Sequence, residues 1–372
     1  EMTSSLVGSE MCIRDSSYST QMQVMINTLN DIRTSDKQIS GTHGIGVLMA
    51  NSLMFQRFPD HNGYDDPQFS SFYGQTLPLL KRGIPVELVH MENTPFKDTF
   101  NGLQVLVMSY SNMKPMKSEY HNYLADWVKK GGTLVYCGED VDPYQTVLEW
   151  WNTEGNAYKA PSEHLFEAMG LSRNPGDGTY RFGKGTVIVM REDPKHFVLK
   201  GGNDRKYFET IASAYESKTG KKIEIKNNFM VERGPYTIAA VMDESSSKEP
   251  LKLSGLYIDL FDKDLPVLTV KQINPGEQGY LYDLNKVSGK VKAKVLCGAS
   301  RIYDEKVGKQ SYSFVAKSPL HTTNVSRVLL PRKPGKVLVN GKAEQPEWDE
   351  SSKTLLLSFE NDPAGVNVSI EW

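Results

Sequence analysis

The chain has 372 residues, of which 39% are hydrophobic and 24% are charged, and its formal net charge is -2 at pH 7. This composition is typical of a globular protein long enough for two domains, and it excludes a disordered or fibrous chain. Acidic and basic residues are interspersed, so the charge gives no footprint for nucleic acid or an anionic membrane surface.

The apolar runs and the cysteines exclude further classes. The longest apolar runs, such as Leu103 to Met108 and Thr354 to Leu357, are far shorter than the stretch of about 20 residues that a membrane span needs. The three cysteines, Cys12, Cys137 and Cys297, are too scattered for a disulfide framework or a CxxC-type metal cluster. We therefore expect no membrane span, no metal and no cofactor.

The first residues resemble a sequencing artefact. Met11-Cys12-Ile13-Arg14-Asp15-Ser16 is the translation of the transposon-end adapter used in short-read libraries. We interpret residues 1–16 as an artefact and expect the natural chain to continue upstream of Ser17. Because the segment lacks apolar periodicity, its deletion should leave the melting temperature unchanged. A fall of several degrees would show that it packs.

Helical and strand patterns alternate as far as about residue 220. Apolar spacing predicts helices over 21–32, 68–82 and 204–217, and another that begins after Ser118 as its N-cap and ends at Gly131. The predicted buried strands are Ile45 to Ala50, Pro85 to His90, Leu103 to Tyr110, Thr133 to Cys137 and Thr186 to Met190. This alternation predicts a doubly wound, mostly parallel sheet with helices on both faces.

The pattern changes after Lys221 to short apolar runs without competing helices. Asn274-Pro275-Gly276 and Asn340-Gly341 are turn signals between such runs. The pattern predicts an antiparallel β-sandwich. The runs are Ile223 to Ile225, Tyr236 to Met242, Leu256 to Leu260, Lys294 to Cys297, Tyr312 to Ala316, Val325 to Leu330, Val337 to Val339, Thr354 to Phe359 and Val366 to Trp372.

Three sequence segments between Gly44 and Leu171 resemble those of a known family. They are Gly46-Val47-Leu48, the run from Tyr73 to Val86 with its Leu79 to Val86 ending, and the run from Tyr123 to Val135. Together they resemble the trimerisation domain that follows the catalytic barrel in family-42 β-galactosidases, a domain similar in fold to class I glutamine amidotransferases. The ending, Val337 to Lys342 and then Val366 to Trp372, resembles the C-terminal β-sandwich of such hydrolases.

The resemblance implies a division of the chain and its partners. Residues 17–43 would be the terminal helix of an upstream catalytic barrel with a linker, residues 44–220 the trimerisation-like domain, and residues 221–372 the β-sandwich. The two catalytic carboxylates would lie in that barrel, outside this chain. The partners implied are the barrel and further copies of the chain, as a trimer in this family. The large β-domain favours export to the bacterial periplasm or cell surface.

An acidic segment follows the fourth predicted strand. Glu139, Asp140 and Asp142 lie at the carboxyl edge, where open α/β sheets bind ligands. Paired carboxylates at this place can serve as acid and base. The favoured interpretation is that they cap or solvate the loop, because Asp is a common turn and N-cap residue.

Aromatic residues give a second group of candidates at the same edge. Tyr144, Trp150 and Trp151 offer faces on which a sugar could stack, although such residues are more often core or interface anchors. The long loop after the first strand is expected to contact another subunit or the upstream barrel. Its anchors would be Phe55, Arg57, Phe58 and Tyr64. Replacing Phe55 and Phe58 together by Ser should then lower the oligomeric mass of the full-length enzyme, or its activity, and leave the thermal stability of the isolated chain nearly unchanged.

Two alternatives to a non-catalytic, oligomerising role remain open. One is a carbohydrate-binding module, and the other is an amidotransferase-like hydrolase with Cys137 as nucleophile. Val135 stands where a nucleophile elbow needs glycine, so a buried strand cysteine is the favoured interpretation. The histidines are expected to be isolated polar residues that bind no metal. The four histidines meant here, among the seven in the chain, are His43, His121, His164 and His321.

Overall fold

The computed structural model describes residues 17–32, 37–54, 69–199, 201–287 and 292–372. Its helices are α1 (Ser17–Ile32), α2 (Ser70–Leu80), α3 (Glu119–Lys129), α4 (Pro161–Ala168), α5 (His196–Leu199) and α6 (Asp204–Thr219). Short 3-10 helices span Asn51–Met54, Met91–Asn93, Pro143–Thr146 and Leu284–Lys286. No helix in these ranges is long and apolar enough to cross a membrane.

The strands form two sets that correspond to two compact units. The strands are β1 (Lys37–Ile39), β2 (Ile45–Met49), β3 (Glu87–His90), β4 (Val105–Met108), β5 (Thr133–Cys137), β6 (Gly178–Phe182), β7 (Gly185–Met190), β8 (Asn228–Arg233), β9 (Tyr236–Val241), β10 (Leu251–Asp259), β11 (Val267–Ile273), β12 (Gln278–Asp283), β13 (Lys294–Gly298), β14 (Arg301–Val307), β15 (Ser311–Lys317), β16 (Thr323–Leu329), β17 (Lys336–Val339), β18 (Lys342–Glu344), β19 (Glu347–Asp349), β20 (Thr354–Glu360) and β21 (Val366–Glu371). The α/β unit consists of Ser40–Asn227 with Glu244–Ser247, and the β unit consists of α1, β1, Asn228–Asp243 and Lys248–Trp372.

The α/β unit has one six-stranded sheet in the order β3-β2-β4-β5-β7-β6. Five strands are parallel, and the edge strand β6 is antiparallel to β7. Alternate residues of β4 enter different cores: Leu106 packs with residues of α3 and α4, whereas Val107 packs with residues of α2 and α6. The predicted α/β class is therefore confirmed, since apolar strands are covered on both faces.

Two local predictions for this unit need correction. Ser118 precedes α3, but its side chain makes no capping hydrogen bond, because its own backbone is already helical at φ -64° and ψ -29°. The expected strand at Ile223 to Ile225 is absent, and this segment has no regular secondary structure. Strand β6 and helix α4 were not predicted, because each is short and has no long apolar run.

The β unit contains more sheet than the single predicted sandwich. Sheets β13-β16-β20-β19 and β14-β15-β21-β17-β18 share a core to which Phe314, Val328, Leu355 and Val368 contribute, so they form the expected antiparallel sandwich. A further antiparallel sheet has the order β1-β8-β9-β12-β10-β11. Much of β10 and β11 is only half-buried, so their sequences lack the clear alternation that identifies a strand.

Helix α1 belongs to the β unit. Val24 and Ile32 are buried in a core with residues of β9, β12 and β13. The Thr20 hydroxyl donates to the carbonyl of Thr323 at 2.9 Å, and the Tyr236 hydroxyl donates to Asp31 at 2.7 Å. The sequence assigned this helix to an upstream barrel, whereas here its apolar face packs on strands of the same chain.

Candidate functional site at the carboxyl edge of the parallel sheet

The loops that follow β4 and β5 form the edge where the sequence placed its candidates. The backbone turns sharply there, with Asn112 and Asp140 at φ 57° and 59°, a region that Asn and Asp tolerate better than most residues. The strands that lead into the turns are fully buried, so the loop positions are fixed by the sheet. Phe55, Arg57, Phe58 and Tyr64 lie outside the described residues.

Asp140 is neutralised by its own cation. Its carboxylate accepts hydrogen bonds from the hydroxyls of Tyr136 and Ser162, the latter at 2.7 Å, and forms an ion pair with Arg191 at 2.7 Å. Burial, reinforced by the nearby Asp140 charge, raises the pKa of Tyr136 well above its usual value, so the phenol stays a donor. Both carboxylate oxygens of Asp140 are therefore engaged by partners within the chain.

Asp142 forms a second, fully buried ion pair. The Lys114 ammonium lies 2.8 and 3.0 Å from the two carboxylate oxygens and also donates to the carbonyl of Tyr110 at 2.5 Å. Asp142 caps the following 3-10 helix by accepting from the backbone N–H of Tyr144, and it accepts from the amide of Gln145. Burial lowers the pKa of Lys114, and the charge of Asp142 opposes that effect.

The acidic segment therefore does not present a pair of carboxylates to a substrate. Asp140 and Asp142 each bind a different cation, and Glu139 is exposed. Asp142 has the capping geometry that the sequence favoured. A general acid or base must reach its substrate, whereas the oxygens of both carboxylates are already engaged by partners within the chain.

The aromatic candidates pack within the fold. Trp151 is buried and donates its indole N–H to the carbonyl of Gln145 at 2.9 Å. Trp150 is half-buried, donates to the carbonyl of Pro115 at 2.9 Å, and lies edge-on to the rings of His121 and His164. Tyr144 is buried as well. These contacts occupy the indole donors and orient Trp150 towards histidines instead of solvent.

His121 and His164 are in direct contact, so the expectation that these histidines are isolated is wrong. Their Nδ1 atoms lie 2.8 Å apart, and the Tyr110 hydroxyl lies 2.6 Å from Nε2 of His121. The two residues are 43 positions apart in sequence and meet because α3 and α4 pack on the same sheet face. Burial lowers the pKa of both rings, and for His121 the charge of His164 adds to the effect.

The contacts among Tyr110, His121 and His164 restrict where the ring protons can lie. A hydrogen bond between two Nδ1 atoms requires one ring to donate and the other to accept. Only one of the two rings can therefore carry a proton on Nδ1. Within the described residues, no group of three or more His, Cys, Asp or Glu side chains is placed to hold a metal ion. His121 and His164 therefore form a part-buried hydrogen-bonded pair in which only one ring carries a proton on Nδ1.

Cys137 lies at the end of β5 without access to solvent. Burial raises its thiol pKa far above the usual value, and the charges of Glu192 and Asp177 add to the effect. Cys297, in the β unit, is also buried, and its pKa is raised to about 12. A nucleophilic cysteine needs a lowered pKa and access to its substrate, and Cys137 has neither.

Apolar side chains face solvent on the two loops that carry the buried ion pair. Met116, Val141 and Leu148 are 60%, 71% and 80% exposed. Their loops are joined by the Lys114–Asp142 pair and by the Trp150–Pro115 hydrogen bond. Sequence reasoning missed these residues because each is a single apolar residue in a polar segment. Exposed apolar side chains on two loops joined in this way are a candidate interaction surface; we call these three residues the edge patch.

The comparisons with known proteins give matches among solved structures only. No protein-family model and no curated protein matches the sequence. The β-galactosidase of Bacillus circulans sp. alkalophilus is 10% identical over 65% of this chain and 42% of its own, with a TM-score of 0.40. A catalytic mutant of the GH42 β-galactosidase Gan42B from G. stearothermophilus is 13% identical over 65% and 40%, with a TM-score of 0.38.

A third solved β-galactosidase, from the psychrophilic Marinomonas ef1, is 11% identical over 71% of this chain and 41% of its own, with a TM-score of 0.38. The chain therefore spans 40 to 42% of the length of these three structures.

Proposed function

We propose that this chain is the non-catalytic, oligomerising C-terminal region of a glycoside hydrolase related to family-42 β-galactosidases. The family phrases in Gly44 to Leu171 support the relationship, and the order of an α/β unit with a β-sandwich is what the resemblance implies. In this proposal the hydrolytic carboxylates lie in an upstream barrel, and the present chain joins copies of the enzyme to each other.

The observation that carries the proposal is the difference between the polar and the apolar side chains at the carboxyl edge of the parallel sheet. The polar groups there are tied into buried ion pairs and hydrogen bonds, while Met116, Val141 and Leu148 are presented to solvent. Such an edge is poorly suited to acid–base chemistry and well suited to contact with another protein surface. A homo-oligomer is the partner that the resemblance implies, and this patch is its proposed contact.

The oligomer is tested with the chain itself. Multi-angle light scattering should give a mass above that of one chain, and changing Met116 and Leu148 together to Asp should reduce it to one chain, because charge opposes burial of the edge patch. The matched control changes Leu77 and Phe96, which are 44% and 66% exposed elsewhere in the α/β unit, to Asp. A single-chain mass for the unchanged protein, or loss of the oligomer only in the control, would contradict the proposal.

Activity measurements test the non-catalytic role. Purified chain should hydrolyse no aryl β-galactoside, whereas any turnover that persists through purification would overturn the proposal. The alternative of a Cys137 hydrolase predicts labelling of the native protein by a thiol-reactive probe that Cys137→Ser abolishes. The buried, neutral thiol gives the opposite expectation, in which Cys137 reacts only after unfolding.

A further inference from the structure

A cavity in the β unit lies between α1 and three strands. Its volume is about 530 Å³, within the range of small-molecule pockets, and all of its lining residues belong to this one unit. The cavity is lined by residues of α1, of β13 and β14 and the turn between them, and by Tyr236 of β9. The cavity is in a different unit from the carboxyl edge and from the edge patch.

Planar polar side chains converge on the cavity from α1. Asn27, Asn30 and Asp31 have the spacing i, i+3 and i+4, which places them on one face of the helix. Two of them are held in place by the strands. The Tyr236 hydroxyl donates to Asp31 at 2.7 Å, and the Asn27 amide donates to the carbonyl of Gly298 at 2.9 Å.

The opposite wall supplies a partly exposed aromatic ring. Tyr303 is 44% exposed and lines the cavity, and the Lys317 ammonium, which does not line it, lies 5.5 Å from the ring centroid. This cation–π contact helps to fix the ring. A fixed, partly exposed ring beside amide groups offers one apolar face and several hydrogen-bonding groups to the same ligand.

Three charged side chains line the cavity, one acidic and two basic. Asp31 carries a negative charge, and Lys294 and Arg301 carry positive charges. All three charged residues are exposed, so water and salt screen their charges and the cavity does not select strongly for an anion or a cation. The ligand that fits these groups is therefore polar and uncharged.

We propose that this cavity binds a neutral saccharide. The ring of Tyr303 packs on the apolar C–H face of the sugar, and Asn27, Asn30 and Asp31 bond its hydroxyl groups. Amide and carboxylate oxygens accept hydrogen bonds from hydroxyl groups, and amide and guanidinium N–H groups donate hydrogen bonds to them. The cavity can therefore bind two neighbouring hydroxyl groups of one sugar at the same time. The site goes beyond the proposed oligomerising role and does not depend on it.

Saturation-transfer NMR on the whole chain tests the site with galactose, glucose, lactose and galacturonate as probes. We expect transfer to at least one neutral sugar, little change in binding with ionic strength, and no gain for the charged galacturonate. Tyr303→Ala should weaken binding about tenfold, the equivalent of one aromatic contact, and Tyr303→Phe should retain most of it. Asn30→Ala should weaken binding as well.

The matched control is Tyr18→Ala, which removes a similarly exposed tyrosine from α1 without touching the cavity. Circular dichroism on each variant shows whether it is folded. Absence of transfer to all three neutral sugars would overturn the proposal. Unchanged binding in both Tyr303→Ala and Asn30→Ala, or equal loss in Tyr18→Ala, would overturn it too. Any of these results leaves the oligomerisation proposal untouched, since that is measured by mass.

Discussion

The ion pair between Lys114 and Asp142 is buried on both sides, with side-chain exposures of 2% and 1%. Removing one member leaves the other charge buried without its partner, which typically costs about 3–5 kcal/mol. Asp142→Ala should therefore lower the free energy of unfolding of the α/β unit by that amount, as measured by urea denaturation. Replacing both residues, as Lys114→Met with Asp142→Leu, should recover much of the loss.

An exposed ion pair provides the comparison. Lys353 and Glu350 form a salt bridge on the surface of the β unit. Glu350→Ala should leave the denaturation midpoint unchanged, because exposed pairs contribute little. Equal sensitivity of the two pairs would show that the Lys114–Asp142 site is solvated and that its burial does not determine its strength.

The histidine pair predicts a pH dependence of stability. Burial lowers the pKa of His121 and His164 below the usual 6.5, so the unfolded chain binds protons that the folded chain does not. Stability is complete above about pH 6.5 and falls as the pH drops below that value. Urea midpoints measured between pH 7.5 and 5.5 should show this fall, and it should shrink when both residues are changed to Gln.

A single change of the exposed His321 to Gln is the control for that measurement. This variant should keep the full pH dependence, because an exposed ring loses little hydration on folding. A double variant at His121 and His164 that is as acid-sensitive as the unchanged protein would contradict the assignment.

Sequence patterns predicted only some of the interactions at the carboxyl edge of the parallel sheet, and there is a physical reason why they missed the others. The turn-forming character of Asp142 is local, so the sequence indicates its capping role. Partners such as Lys114 for Asp142, or His164 for His121, depend on which helices pack together. Sequence spacing contains no such information for residues in different elements.

At the scale of elements, helix α2 makes a very close approach to the segment before α5. A Cβ atom on Gly74 would lie 1.8 Å from the carbonyl oxygen of Pro194. Gly74→Ala must therefore displace the helix or the loop, and we expect a loss of about 3 kcal/mol or more in the free energy of unfolding.

Gly176→Ala is the matched control for that change, because nothing lies within 4 Å of its added Cβ atom. Thermal denaturation of the two variants side by side separates the close contact from the general effect of replacing glycine. Similar stability of both variants would mean that α2 and the loop relax without cost.

Elements with a strong local signal were predictable from sequence. Thr133–Cys137 agrees with its predicted limits, because five consecutive residues are buried. The Asn340-Gly341 signal corresponds to a hairpin between β17 and β18, with both residues at positive φ as a type I′ turn requires. Strand β1 was not predicted, because its three residues, two exposed and one half-buried, become a strand only through pairing with β8.

At the scale of the whole molecule, the α/β unit is inserted between two paired strands of the β unit. Ile39 of β1 lies opposite Val231 of β8 in an antiparallel ladder. Replacing residues 40–227 with a flexible linker of about six residues should therefore leave a folded β unit, because such a linker spans the gap between the two strand ends. Cooperative melting and a dispersed NMR spectrum would verify this.

Direct fusion of Ile39 to Asn228 is the control. Three residues of β8 extend beyond Val231, about 10 Å of strand, so a junction without a linker cannot preserve the register. An unfolded product with the six-residue linker would show that the β unit needs the α/β unit to fold.

During translation, helix α1 is synthesised well before the strands that cover it in the β unit. The hydrogen bond between Tyr236 and Asp31 joins residues 205 positions apart. At about 5–20 residues per second, a ribosome needs roughly 10–40 s to make that length. Throughout this interval Val24 and Ile32 of α1 have no strands to cover them, while the α/β unit can already assemble from its own residues. Slower translation of the inserted segment therefore prolongs the exposure of this apolar face to chaperones and aggregation.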